Sequence, residues 1–156
     1  MERTSTEILF HVAEIELTYK TKVKPSDRPQ ITGSSDAYKI LLQVWEEGKL
    51  EFVEQFKVLL LNRANKVLGM YPLSTGGVTG TVADPKLIYA AAIKANACAL
   101  IMAHNHPSGN LKPSRADEEL TQKIKQAGAF LDIKLLDHLI VSSEGYYSFA
   151  DEGLLL

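Results

Sequence analysis

The chain has 156 residues, long enough for one domain with a sizeable hydrophobic core and too short for two large ones. With 17 basic and 19 acidic residues its formal charge is -2, and no run of like charge gives the electrostatic footprint of a nucleic-acid or anionic-membrane binder. The single cysteine excludes an internal disulfide, and no apolar stretch approaches the roughly 18 to 20 residues that span a bilayer.

The opening MERTSTEILF places charges where a secretory signal would need an apolar segment, so a cytoplasmic location is expected. From Phe10 to Val23 the apolar Ala13, Ile15, Leu17 and Tyr19 alternate with polar residues, the period-2 pattern of a half-buried strand. KPSDRPQITGSS is rich in breakers and reads as a loop, which makes residues 1–33 a strand-like arm and loop ahead of a main domain at 34–156. Ser35 is placed to cap a helix through Ala37, Ile40, Leu41, Val44 and Trp45, and Gly48 lies where that helix would end. FKVLLLN and KVLGMYPL, separated by RAN, read as a hairpin.

STGGVTGTVADP is a glycine-bearing loop, and Asp84 with Pro85 supplies an N-cap and a first helical residue. Leu87, Ile88, Ala91, Ala92 and Ala95 then form one helical face, and ACALIMAHNH is apolar on both sides, as a central strand requires. Cys98 in that run reads as a small core residue. Leu120, Ile124, Ala127 and Leu131 mark another helix, and IKLLDHLIV with GYYSFA closes the chain in one or two strands. Interleaved helices and strands predict an α/β or α+β domain around a mixed sheet.

Chemistry concentrates in AHNHPSGNLKPSRAD, residues 103–117. Residues two apart in a strand share a face, so His104 and His106 can reach one point, a spacing suited to metal ligation. Pro107, Gly109 and Pro113 allow a reversal that would bring Asp117 back as a third ligand. Ser114 and Asp117 also fit a helix N-cap followed by an acidic residue three positions on, which needs no metal. Both readings stand on the residues alone. His138 follows Asp137 in an apolar run and reads as a hydrogen-bonded core residue, and His11 has no partner motif.

The stretch HNHPSGNLKPSRAD matches H-x-H-P-(x)6-S-x-x-D and resembles the JAB/MPN metalloprotease family, also called JAMM. STGG upstream, with IKLLDHLIV and YYSFADEGLL downstream, looks like its bacterial RadC branch across roughly residues 50–156. The resemblance implies a mixed sheet flanked by helices, similar to cytidine deaminases. It also implies zinc on His104, His106 and Asp117, with Ser114 hydrogen-bonding a tetrahedral intermediate. It further implies a glutamate two residues before the phenylalanine that opens the apolar strand, which is Glu54, with Glu51 as the alternative. The activity so implied is hydrolysis of a peptide or isopeptide bond in a protein substrate. The alternatives are a binding module on the same fold and a metal-dependent hydrolase of another bond.

His138 with Asp137 resembles a pair in RadC-like chains and could support the ligands. Ser74, Gly76 and Gly77 resemble a segment bordering the cleft. RadC-like relatives carry an N-terminal region similar to helix-hairpin-helix DNA-binding modules. The first 33 residues here lack that pattern, so no DNA contact is expected. The letters HNH do not amount to the nuclease motif of that name, which spreads over a ββα unit.

Overall fold

A computed structural model describes residues 11–76 and 83–155. In chain order these form α1 (Ser34–Val44), β1 (Gln55–Leu61), β2 (Val67–Thr75), α2 (Pro85–Lys94), β3 (Ala99–Asn105), α3 (Arg115–Leu131), β4 (Lys134–Val141) and β5 (Tyr146–Ser148), with a short 3-10 turn at Pro25–Asp27. The strands make one mixed sheet in the order β2-β1-β3-β4-β5. β3 and β4 run parallel through the α3 crossover, and the other neighbours are antiparallel.

The two faces of the sheet bury different residues, as strand alternation demands. On one face Phe56, Val58, Leu60, Leu100 and Met102 pack with Ile88 and Ala92 of α2 and Ile124 of α3. On the other, Leu59, Leu61, Ile101, Ala103, Leu139 and Val141 pack with Ala37 and Leu41 of α1 and with Trp45. β1 and β3 are therefore covered on both sides, which is why FKVLLLN and ALIMA show no alternation in sequence. Lys57 lies in this interior at 1 % exposure, its Nζ 3.6 Å from Glu46 and 5.1 Å from the centre of the Trp45 ring. The stem is buried while the charge keeps an anionic and an aromatic neighbour.

The order of elements and the mixed sheet follow the sequence expectation, with four local differences, the first being that α1 stops at Val44 with Trp45 as its C-cap, ahead of Gly48. Residues 11–21 form no strand: Val12, Ile15 and Leu17 are 81 %, 84 % and 70 % exposed. Alternation supplies an apolar face, but a strand also needs a backbone partner. The edge of β2 is met instead by Pro29 to Ile31, through a bridge from Gln30 to Lys66, and by the Tyr19 hydroxyl donating to the Leu68 carbonyl. Phe10 lies outside the described residues. The N-cap of α1 is Gly33, not Ser35; Asp36 reaches back instead and accepts from the Thr32 backbone N–H at 2.9 Å and hydroxyl at 2.6 Å. Cys98 precedes β3 and is half-buried. Asp84 caps α2 by accepting from Lys86 N at 2.9 Å, as its place before Pro85 suggests.

Gly128 in the last turns of α3 is demanded by a close approach: a Cβ there would stand 2.2 Å from the Ile133 carbonyl oxygen and 3.0 Å from the Tyr89 hydroxyl. Glycine to alanine inside a helix ordinarily gains up to about 1 kcal/mol. Here Gly128→Ala should instead cost about 1 to 3 kcal/mol through overpacking against backbone. Chemical denaturation of the variant checks the sign.

Candidate metal centre

At one end of the sheet β1 begins, β3 ends and α3 starts. Phe56 lies opposite His104 in the antiparallel β1–β3 pair, so Glu54, just before β1, falls in line with His106 just after β3. The side chains of Glu54, Phe56, His104 and His106 share the face covered by α3, because their positions differ by even numbers along extended backbone. One ligand atom each from Glu54, His104 and His106 lies within 4.8 Å of the others.

Asp117 enters from the first turn of α3. Ser114 and Asp117 form a complete capping box: the Ser114 hydroxyl accepts from Asp117 N at 3.1 Å, and Asp117 Oδ2 accepts from Ser114 N at 2.8 Å. The box fixes the carboxylate rather than consuming it. Oδ1 stands 3.4 Å from His104 Nε2, and Oδ2 is 3.8 Å from His106 Nε2. Capping and ligation are compatible readings of the same residue.

Glu51 is elsewhere. Its carboxylate accepts from Ser143 Oγ at 2.7 Å, on the wall of an open groove of about 570 Å³ that ends at His106 and Pro107. The remaining walls include Ser108, Gly109, Leu111 and Ser142 to Gly145. Gly76 donates its backbone N–H to the Glu54 carbonyl at 2.9 Å, which places Ser74 to Gly76 beside the site; Gly77 lies outside the described residues.

The protonation pattern of the histidines follows from their partners. The Thr121 hydroxyl donates to the Asp117 carbonyl at 2.7 Å, and its only proton is thereby used. It must then accept from His138 Nδ1, 2.7 Å away, which leaves His138 Nε2 as an acceptor for His104 Nδ1–H at 2.8 Å. His106 Nδ1 faces the Asn110 carbonyl at 2.5 Å and can only donate. With both rings neutral, both Nε2 atoms carry lone pairs, and they face each other at 3.0 Å with the Asp117 carboxylate beside them. Imidazole lone pairs and carboxylates repel one another at such distances unless a proton or a metal cation lies among them, so this donor set fits a metal ion.

Burial and neighbouring groups set the proton affinities of the surrounding carboxylates. Burial pushes the Glu54 carboxyl above the usual carboxylate range, with Asp117 adding to the rise and the two imidazoles opposing it. For Asp117 burial acts upward too, but the neighbouring His104 and the two Ser114 bonds hold it well below that range. His138 is wholly enclosed, and burial with the neighbouring His104 keeps it neutral far below its ordinary value. Asp137 does not touch the His138 ring. It turns to the opposite face, where it accepts from Ser148 Oγ and from the backbone N–H groups of His138 and Ala150. His138 instead stacks on Phe149, with ring centres 4.6 Å apart.

The sequence motif identified neither Thr121 nor Asn105 as part of this site. Thr121 lies four residues after Asp117, one helical turn along α3, and that spacing was the available signal. Among the described residues no helix is long and apolar enough to cross a membrane.

Residues 31–154 match the RadC-like JAB domain family. Similar proteins include one from Flavobacterium johnsoniae, named only as a UPF0758 protein, which is 48 % identical over 125 residues, 80 % of this chain and 53 % of its own length. A UPF0758 protein of Porphyromonas gingivalis is 45 % identical over 82 % of this chain and 56 % of its own. Another, from Leptothrix cholodnii, is 40 % identical over 92 % of this chain and 64 % of its own. The chain thus spans between half and two-thirds of the length of these relatives.

The buried circuit carries a pH signature. An unfolded histidine takes up a proton near pH 6.5, whereas His138 in the fold does not. Below that pH the unfolded chain binds the extra proton, so metal-free stability falls with falling pH by up to about 1.4 kcal/mol per pH unit for this group. Melting temperatures from pH 7.5 to 5 should decline, and His138→Gln should flatten part of that decline. Identical slopes for the two proteins would contradict a neutral, enclosed His138.

Proposed function

The chain belongs to the RadC-like JAB domain family, and from that premise we propose that it is a zinc-dependent hydrolase of peptide or isopeptide bonds in polypeptide substrates. The observation that carries the proposal is the convergence of His104 and His106, their Nε2 atoms 3.0 Å apart, with Asp117 and Glu54 beside them. Zinc accepts imidazole nitrogen and carboxylate oxygen together, and a catalytic zinc takes three protein ligands and keeps one position open. His104, His106 and Asp117 would hold it. When bound, the metal supplies a Lewis acid for a carbonyl and makes a water acidic enough to ionise near pH 7.

The chain's own residues do the rest. Glu54, partly buried and with its proton affinity raised, takes a proton at a carboxylate oxygen and delivers it to the leaving amine nitrogen. Water thereby adds hydroxyl to the acyl carbon and hydrogen to the amine. Ser114, with its oxygen already accepting from Asp117 N, keeps a hydroxyl proton to donate to a developing oxyanion. The groove ending at His106 gives an extended chain a place to lie beside these groups. Its open form suits a polypeptide better than a small enclosed ligand.

Two arms test the reading. Wild-type protein should take up one zinc per chain, and Asp117→Ala or His104→Ala should lose it by elemental analysis while still melting cooperatively. Glu54→Gln should keep the zinc and lose 10²- to 10⁴-fold in turnover of peptide and isopeptide-linked substrates. Full zinc occupancy without hydrolysis by wild type would favour a polypeptide-binding role for the same groove. Absence of zinc binding would refute the site.

A further inference from the structure

Between the two histidines stands a residue the chemistry above does not use. Asn105 ends β3, is fully buried, and by strand alternation points away from its neighbours to the α1 side of the sheet. Its amide is saturated. Oδ1 accepts from Gln55 N at 2.7 Å, and Nδ2 donates to the Leu50 carbonyl at 2.7 Å and the Val53 carbonyl at 2.8 Å. Leu50 and Val53 belong to the irregular segment between α1 and β1, Gln55 opens β1, and Val53 and Gln55 are the immediate neighbours of Glu54.

We infer that Asn105 is a positioning residue: its side-chain amide clamps residues 50–55 and so sets where the Glu54 carboxylate stands against the His104–His106 pair. The main-chain ladder between β1 and β3 stops at Phe56 and His104, so no strand pairing reaches Glu54 from that side. Asn105 replaces the missing ladder by a side chain that copies a peptide unit, offering one acceptor and two donors. From the other side the Glu54 carbonyl accepts from Gly76 N, so the backbone at Glu54 is held on both flanks. The same strand end thus presents two imidazoles on one face and fixes the glutamate from the other. An aspartate of equal size would keep the acceptor but set a carboxylate oxygen against two buried carbonyls.

This inference rests on the reading of Glu54 given above, and the experiment separates the two. Metal-free wild type, Asn105→Ala, Glu54→Gln and the double variant are compared by hydrogen–deuterium exchange and, after loading with cobalt(II), by visible absorption from pH 5 to 9. In Asn105→Ala, amides 50–55 should exchange at least tenfold faster while those of residues 100–104 and 117–124 do not change. The pH midpoint of the cobalt spectrum should move in the direction seen for Glu54→Gln, and Asn105→Ala should add nothing in the double variant. Unchanged protection at 50–55 overturns the clamp. A loosened segment with an unmoved cobalt profile, or shifts that add in the double variant, overturns the action through Glu54. If wild type binds no cobalt, the metal reading fails and the exchange result alone decides the clamp. If Asn105→Ala does not fold, Asn105→Asp takes its place, with the same outcomes expected.

Discussion

Alternation at the end of a buried strand is the constraint from which the site follows. β3 is paired on both sides and covered on both faces, so its side chains have no freedom to rotate away from the pleat. His104 and His106 must therefore project to the α3 face and Asn105 to the α1 face. Antiparallel register with β1 brings Glu54 level with His106. The α3 crossover, starting after a Pro/Gly loop, sets Asp117 over the same point.

What holds this polar cluster inside the protein is complete hydrogen bonding. A buried imidazole without partners would cost several kcal/mol. His138 avoids that cost because both ring nitrogens are engaged, by His104 and by Thr121, while its ring stacks on Phe149 and meets Phe56 at a tilt. Asp137, one residue earlier, points to the other face and is satisfied there by Ser148 and two backbone N–H groups. The repulsion left over is confined to one place, where two Nε2 lone pairs and a carboxylate face one another. Either a shared proton or a bound metal cation would relieve repulsion of that kind.

Much of this was legible in the sequence because it rests on local rules. The spacing of His104 and His106, the cap signals at Asp84–Pro85 and Ser114–Asp117, and the doubly apolar strands all report nearest-neighbour geometry. The choice between Glu54 and Glu51 needed the β1–β3 register, which no local pattern encodes; the two differ in that one faces the imidazoles and the other meets Ser143 across the groove. His138 was legible as a hydrogen-bonded core residue, but its partners and the role of Asn105 depend on contacts spanning 17 to 55 residues, invisible to any periodicity. The N-terminal alternation misled for the opposite reason: Ile15 and Leu17 carry the right pattern, but the pattern alone supplies no partner strand.

The central claim is that hydrogen bonding presets His104 and His106 with unprotonated Nε2 atoms turned toward one another, ready for a metal. Nitrogen-15 NMR of the imidazole rings in metal-free protein near pH 8 reads this directly. The account predicts Nδ1–H tautomers for both residues, with both Nε2 resonances moving on addition of one equivalent of zinc. An Nε2–H tautomer at either histidine, or Nε2 resonances indifferent to zinc, would contradict it.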